Sequence, residues 1–455
     1  MSSGRFLVYR IAAPFCALLM FLFLTSLYWA GQSSLYAAIL NDWGILPFHF
    51  PFLDISGSLA AWECARKGIN IVLADPCDLL NRPYNYSPLW MSLSWIPLGP
   101  ADRAAVGWWL DLLVIASLYF LPPPRRAVEA ALIVAATLST MVVFALERAQ
   151  PDILMFLMAI GVGYLALGGP RSRLFAHGLA LLAALIKYYP VMMLVLVWNE
   201  RPRRFYAICA AIIGVLIVFS AVYYADLVLG IPTIPGGYYF TDMFGAKNLP
   251  YFIGDMVQQS SQPAAWAALA GRLTADGLLA VLGGGCWAIC RRVLRDNEWS
   301  TAFSALNRYD AVFLVLGSAV IVGCFFVGQN VGYRGIFLLF VVPGILALAR
   351  SACGALRRLT LATAGVIVLL MWGECLRLAL YRLLDAAGAS EFVAFQLKFL
   401  FWLVRELGWW WAITIMIAAV VHYLRHAAAV EGLSPLWLRC FPRRAAREAT
   451  ETGQD

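Results

Sequence analysis

The sequence predicts an all-α, polytopic integral membrane protein, a bundle of about 11–13 transmembrane helices with a large first loop outside the cytoplasm. Of the 455 residues, 62% are hydrophobic and only 13% are charged, whereas soluble domains carry about 25% charged residues. Mean hydropathy is +0.76. Apolar runs close to the roughly 20 residues of a helical span recur along the chain, without the alternating pattern of an outer-membrane barrel.

Residues 1–424 are predicted to form one membrane-embedded domain, followed by a basic cytoplasmic tail at 425–455. The candidate spans are residues 6–29, 104–121, 127–145, 151–168, 174–186, 188–198, 204–224, 273–290, 309–327, 334–349, 359–378 and 407–424. The runs 174–186 and 188–198 are each too short to cross a bilayer alone. They flank Lys187-Tyr188-Tyr189-Pro190 and predict a hairpin of two half-length helices.

The first span resembles a secretion signal in its opening residues. Arg5 and Arg10 precede an apolar run that reaches Trp29. Because this run is about a full span long and more spans follow it, an uncleaved first helix is expected.

A polar loop, Phe50–Trp90, follows the first span, and Asp54 begins an amphipathic helix within it. Cys64 and Cys77 share this loop, and they are candidates for a disulfide if the loop lies outside the cytoplasm. The apolar piece 88–98 is bounded by prolines and is too short to span. It is expected to lie at the interface or to re-enter the membrane.

The basic residues indicate an orientation. With the N-terminus in the cytoplasm and the segments alternating sides, 21 of the 34 basic residues fall in short cytoplasmic loops and tails. This distribution follows the positive-inside rule, and it predicts that both termini are cytoplasmic. The net charge of +8 is therefore an orientation signal and does not indicate nucleic-acid binding.

In this topology the unusual polar residues collect on the outer side. They are Asp54, the turn 147–152, the long loop 225–272 and the turn 328–334. The cytoplasmic loops are short and basic and contain no phosphate cradle. Any active site is therefore expected to face the periplasm or the outside of the cell inner (plasma) membrane.

Five short motifs occur in order along most of the chain. They are Asp54 in the first loop, Tyr86-Ser87-Pro88, Arg148-x-Gln150, Lys187-x-x-Pro190 and Asn330-x-x-Tyr333-Arg334. On these residues the sequence resembles the GT-C fold membrane glycosyltransferases of family 87, which use polyprenyl-phosphate sugars. Ser87 stands where that family has a second proline, and the paired-acid motif of some related transferases is missing.

The resemblance implies transfer of a mannose-like sugar from a polyprenyl-phosphate donor to a hydroxyl of a lipid or glycan acceptor, with inversion at the sugar carbon. It implies that Asp54 is the general base. Because the paired-acid motif is missing, no metal site is predicted, and no other cofactor is expected. Arg148, Lys187 and Arg334 are the predicted partners of the donor phosphate. Substrate contacts are predicted for Tyr86, Gln150, Asn330 and Lys247. The expected partners are the donor, the acceptor and membrane lipids.

The residue types suit this chemistry. Such a transfer requires a base for the acceptor hydroxyl and cations for the departing phosphate, and Arg and Lys both bind phosphate. No acidic partners are evident for the three cations, which leaves them free for an anion. Lys187 ends a helical arm of about 20 Å, short of a membrane core near 30 Å. Its ammonium is therefore expected inside the membrane, in a cavity that holds an anion or water.

Structural interpretations compete with these roles. Asp54 suits a helix N-cap, Arg148 suits an ion pair with Glu147, and Arg334 suits contact with the outer headgroups. Asp111, an acid inside a predicted span, is either a cavity residue or the partner of an arginine.

For the whole protein, the alternatives are a transporter or lipid-linked-sugar flippase, and a non-catalytic scaffold. A transporter is expected to show inverted repeats with broken helices in both halves. The break at Lys187 has no evident counterpart in the other half of the sequence.

Overall fold

The computed structural model of the chain describes residues 3–48, 50–71, 74–230, 239–260 and 264–432. Across these ranges the structure is built from helices without a β-strand, and Phe244 and Asn330 form one isolated antiparallel bridge. The α-helices are α1 Ser3–Trp29, α2 Ser33–Asp42, α3 Leu53–Arg66, α4 Arg103–Ser117, α5 Ala127–Thr137, α6 Thr140–Glu147, α7 Asp152–Leu167, α8 Pro170–Ile186, α9 Pro202–Val222, α10 Tyr224–Gly230, α11 Asn248–Ser260, α12 Ala264–Arg295, α13 Asn297–Ser304, α14 Arg308–Val327, α15 Leu338–Ser351, α16 Gly354–Met371, α17 Gly373–Ala386 and α18 Glu391–Arg425. The 3₁₀ helices are Pro88–Leu93, Pro100–Asp102, Leu118–Phe120, Tyr189–Asn199, Gly332–Phe337 and Ala428–Gly432.

The predicted fold class, an all-α polytopic membrane protein, is confirmed. Within the described ranges, eight helices are long and apolar enough to cross a membrane, or nine if one bent pair is a single span. This count is below the predicted number. The difference arises because the predicted spans near 151–168, 174–186 and 188–198 form helices of 16, 17 and 11 residues, shorter than a full span.

The bent pair is α5 and α6, which meet at 44° where the sequence predicts one straight span. Helix kinks occur where a side chain inserts into the backbone ladder. Here the indole of Trp43 donates to the carbonyl of Leu138 at 2.8 Å, and the Thr140 hydroxyl donates to the Trp43 carbonyl at 2.8 Å. The hydrogen-bond donor to the free backbone carbonyl at the break is therefore a residue from a distant part of the chain.

The centre of the bundle is formed by α14 and the segment Gly332–Ser351. In an apolar stretch of 18 residues within each of these two spans, 78% and 89% of the residues are buried. The corresponding fraction for α9, at the periphery, is 6%. Two glycines allow close packing here: a Cβ on Gly317 would lie 2.7 Å from that of Phe340, and one on Gly344 would lie 2.5 Å from that of Leu314. Small residues at helix contacts allow such approach in membranes.

The predicted hairpin at Lys187 is present. Helix α8 leads to Lys187, and the 3₁₀ helix Tyr189–Asn199 packs against α8 as the second arm. At the open end, Arg173 contacts Glu200 at 2.6 Å. The 17 residues of α8 hold Lys187 about 25 Å away from the start of the helix, so the two ends of the bundle carry separate polar clusters.

The first loop contains the disulfide Cys64–Cys77 as predicted. It joins the last turn of α3 to the polar segment that follows. The piece 88–98 forms a 3₁₀ helix only at Pro88–Leu93, in agreement with its prediction as non-spanning. At the other end of the chain α18 has 35 residues and closes at Arg425; the predicted tail from 433 onward lies outside the described residues.

Candidate functional site

Asp54 stands in the first turn of α3, and the start of this helix is fixed to the turn that follows α6. The amide of Phe52 donates to the Glu147 carbonyl at 2.7 Å, and the amide of Asp54 donates to the Arg148 carbonyl at 3.1 Å. Phe52, with φ 67°, is the N-cap residue. The interpretation of Asp54 as the N-cap is therefore wrong, and its carboxylate is directed to other side chains.

Two side chains donate hydrogen bonds to the Asp54 carboxylate. The Gln150 amide donates to Oδ2 at 2.8 Å, and Arg82 donates to Oδ1 at 3.3 Å. Arg82 also donates to both carboxylate oxygens of Asp78, at 2.9 and 3.0 Å. Burial raises the pKa of Asp54 above the ordinary aspartate value, while the charges of Arg148 and Arg82 act in the opposite direction.

Gln150 connects Asp54 to Lys187, at the turn between the two arms of the hairpin. Its side-chain oxygen accepts from Lys187 Nζ at 3.1 Å and from the Tyr86 hydroxyl at 3.2 Å. The residue is 2% exposed. Lys187 Nζ also lies 5.1 Å from the centre of the Tyr86 ring. Four predicted site residues, distant in sequence, therefore share one hydrogen-bonded chain, with Gln150 and Lys187 buried and Asp54 and Tyr86 partly buried.

The carboxylate of Asp152 lies between the two cations Lys187 and Arg334. This carboxylate is 3.0 Å from Lys187 Nζ and 3.8 Å from Arg334 Nε, and it accepts from the Tyr189 hydroxyl. Asp152 is fully buried. The expectation that the cations have no acidic partner is wrong, since one carboxylate lies between two of them. Arg334 points inward to Asp152, so its interpretation as a headgroup contact is also wrong.

Arg148 pairs with Glu147, as the structural alternative predicted. Its Nε lies 3.1 Å from Glu147 Oε2, and its guanidinium donates to the Leu46 carbonyl at 2.9 Å. The charge of Arg148 acts on Asp54 through space. Arg148 therefore borders the acidic part of the site, rather than the Lys187–Arg334 pair.

Asn330 and Lys247 differ from their predicted positions in a substrate pocket. The Asn330 amide nitrogen donates to the Gly328 carbonyl at 2.7 Å, and its oxygen accepts from Arg334. Its backbone exchanges two 2.8 Å hydrogen bonds with Phe244. Asn330 thus shapes the turn and orients Arg334. Lys247 is exposed and lies over the Tyr251 ring at 5.7 Å, outside the cluster.

A partly open cavity of about 340 Å³ adjoins the cluster through Tyr86. Its wall includes the tyrosines 84, 86, 188 and 223 and one acid, Asp226. Aromatic rings with hydroxyl groups provide both an apolar face and a hydrogen-bonding edge. The cavity is large enough for a drug-sized molecule and brings such a molecule close to Gln150, the hydrogen-bond partner of Tyr86.

No protein-family model, curated protein or solved structure matches the chain. The geometry of the cluster must therefore carry the functional argument.

Four residues in the cluster, namely Asp152, Tyr189, Arg82 and Asp78, were not assigned a primary role from the sequence. Asp152 lies two residues after Gln150, the end of the Arg148-x-Gln150 motif, and Tyr189 lies two residues after Lys187. Arg82 precedes Pro83 in the first loop. Their closeness to the motifs was a usable signal for the first two. Arg82 carried no such signal, because its partner Asp54 is 28 residues away.

Proposed function

We propose that the protein is a membrane glycosyltransferase that moves a sugar from a polyprenyl-phosphate donor to an acceptor hydroxyl. One observation carries the proposal: the partly buried carboxylate of Asp54 and the cations Lys187 and Arg334 belong to one polar cluster, joined by the buried residues Gln150 and Asp152. The residues of the glycosyltransferase-like motifs thus converge from most of the chain, which supports the resemblance to family 87.

The cluster has two parts with opposite charge. Asp54 and Asp78 face one arginine, Arg82, so this part holds one negative charge in excess when all three are ionised. Lys187 and Arg334 face one carboxylate, that of Asp152, so the other part holds one positive charge in excess. The first part suits a base and the second suits a phosphate.

In the proposed reaction the acceptor oxygen attacks the anomeric carbon of the sugar while the bond from that carbon to the phosphate oxygen breaks. Asp54 takes the hydroxyl proton, and the polyprenyl phosphate leaves as a dianion. Lys187 and Arg334 stabilise the charge that develops on the leaving group. Gln150 bonds to both Asp54 and Lys187 and so fixes the base relative to this cation, while Tyr86 donates to Gln150.

The direct test uses the purified full chain in lipid nanodiscs with polyprenyl-phosphate mannose labelled in the sugar. A total lipid and glycolipid extract supplies acceptors. We expect release of polyprenyl phosphate and label in a new product. Transfer of intact donor between leaflets of proteoliposomes, without cleavage, would instead indicate a flippase. If this donor is neither cleaved nor moved, the result contradicts the proposal.

Replacing Arg334 by glutamine is expected to raise the KM for the donor by about 10-fold or more, because a cation beside the phosphate is lost. Donor saturation of the cleavage reaction measures this change. Arg382→Gln is the matched control, since Arg382 pairs with Asp42 on an exposed surface. If Arg334→Gln and the control give the same donor KM, Arg334 does not bind the phosphate.

We further propose that the site faces the periplasm or outside and that both termini are cytoplasmic. Cysteines introduced at Lys247 and at Arg203, both exposed, test this in intact cells of a variant in which the exposed Cys353 is replaced by serine. An impermeant thiol reagent is expected to label Lys247→Cys and to leave Arg203→Cys unlabelled until the cells are opened. The reverse labelling would require the opposite orientation.

A further inference from the structure

A second cavity adjoins the site at the junction of Phe52 and Glu147. It is a partly open cavity of about 50 Å³ between α1, α2, α4 and α6. Six aromatic rings contribute to its wall: Phe21, Tyr28, Trp29, Tyr36, Phe52 and Trp108. Gly107 makes room for one of them, because a Cβ at this position would lie 2.4 Å from the Phe52 ring. The proposed sugar transfer uses none of these rings.

The rings form two close pairs. The ring centres of Trp29 and Trp108 are 5.2 Å apart, and those of Tyr28 and Tyr36 are 5.8 Å apart. The faces of such rings carry negative partial charge and attract cations, most strongly when the cation is shielded from water. An aromatic wall of this kind is the usual means by which proteins recognise organic ammonium groups.

Two buried carboxylates contribute to the same wall. Asp111 is 2% exposed, and its Oδ1 has no hydrogen-bond partner in the described part of the chain. Glu147 is 6% exposed and lies 3.1 Å from Arg148. Of the two alternatives for Asp111, the structure supports a cavity residue, since no described arginine pairs with it. An isolated buried carboxylate is costly unless a cation or a proton compensates it.

The surroundings of the cavity indicate a lipid. Helix α1 lies at the periphery of the bundle, since only 17% of the residues in an apolar stretch of 18 residues within it are buried. Leu24 lines the cavity, whereas Leu22 and Phe23 on the same helix are each 51% exposed. A molecule with an ammonium head and a hydrocarbon tail matches the cavity and this outer surface together.

We propose that this cavity binds the ammonium head group of a membrane phospholipid, with Asp111 as the anionic partner and the aromatic rings as the surrounding cage. The lipid tail lies along the exposed apolar residues of α1. This site is separate from the proposed sugar transfer and does not depend on it.

The test is native mass spectrometry of the full chain with phosphatidylethanolamine or phosphatidylglycerol of identical acyl chains. We expect the wild-type protein to bind the ethanolamine lipid at least about tenfold more tightly than the glycerol lipid. Asp111→Asn is expected to lower affinity for the ethanolamine lipid about tenfold and to leave the glycerol lipid unchanged. Asp385→Asn, which removes an exposed carboxylate from α17, is expected to retain the wild-type preference.

Equal affinity of the wild-type protein for the two lipids would overturn the proposal, whether or not the Asp111 variant folds. Retention of the preference in folded Asp111→Asn would also overturn it. Soluble ethanolamine serves as a competitor. Displacement of the lipid by ethanolamine at the same concentration would overturn the assignment to a lipid, because the tail would then contribute no binding.

Discussion

Replacing Asp54 by asparagine is expected to lower the rate of sugar transfer by about 100- to 10,000-fold, the usual range for loss of a general base. Asparagine keeps the size of the side chain, and its oxygen still accepts from Arg82. It removes the proton acceptor. Its amide also faces the Gln150 amide, which donates to Asp54 in the wild-type protein. Cleavage of labelled donor, measured at saturating concentration, gives the rate.

The control for this variant is Glu63→Gln on the same helix. Glu63 forms an exposed ion pair with Lys67 at 2.5 Å, and such pairs contribute little to stability. Transfer by Glu63→Gln is expected to match the wild type. Thermal unfolding of both variants is compared to separate lost catalysis from lost folding. If folded Asp54→Asn keeps most of the wild-type rate, another group is the base.

The pH dependence of transfer gives an independent readout of Asp54. Burial raises the pKa of this carboxyl above that of an ordinary aspartate, and the charges of Arg148, Arg82 and Lys187 act to lower it. Only the ionised form accepts a proton. The rate is therefore expected to fall on acidification, with a midpoint above the ordinary aspartate pKa.

Asp152→Asn is expected to lower the free energy of unfolding by about 3–5 kcal/mol, the usual loss when one partner of a buried ion pair is removed. The reason is that Lys187 and Arg334 both face this one carboxylate. Without it, two positive charges remain close together in a buried site. Thermal unfolding in detergent at constant pH and ionic strength measures the change.

The double variant Asp152→Asn, Lys187→Met is the matched comparison for this prediction. Removal of one cation relieves the repulsion, so the double variant is expected to recover part of the stability lost in Asp152→Asn. Added phosphate or a polyprenyl phosphate is expected to stabilise Asp152→Asn more than the wild type, because the anion takes the place of the missing charge. A loss below about 1 kcal/mol for Asp152→Asn would show that the pair is not a buried ionic contact.

Local patterns predicted much of the fold. The apolar run of α14 was predicted at 309–327, within one residue of its start at Arg308, because a span of this kind has no competing polar signal. The break at Lys187 was also predictable, since two runs too short to cross the membrane flank Pro190. The shared loop of Cys64 and Cys77 made the two cysteines candidates for a disulfide, which the structure contains.

What could not be predicted depends on contacts between distant residues. The kink between α5 and α6 is held by Trp43, 95 residues from its partner Leu138. Likewise, Asp152 neutralises Arg334 across 182 positions of sequence, and neither helical periodicity nor motif spacing encodes such a pairing. The motifs contain Asp54, Gln150, Lys187 and Arg334 of the cluster, but they do not indicate which charged groups neutralise one another.

The disulfide Cys64–Cys77 lies close to the candidate base Asp54, so the compartment in which the disulfide forms bears on the assembly of the site. Cys64 belongs to α3, the helix that carries Asp54, and Cys77 adjoins Asp78, which holds the Arg82 that donates to Asp54. Disulfides persist in oxidising compartments. In the orientation proposed above, a newly made chain acquires this link only after its first loop has crossed the membrane. The connection between the helix that carries Asp54 and the Asp78–Arg82 pair is then completed after export.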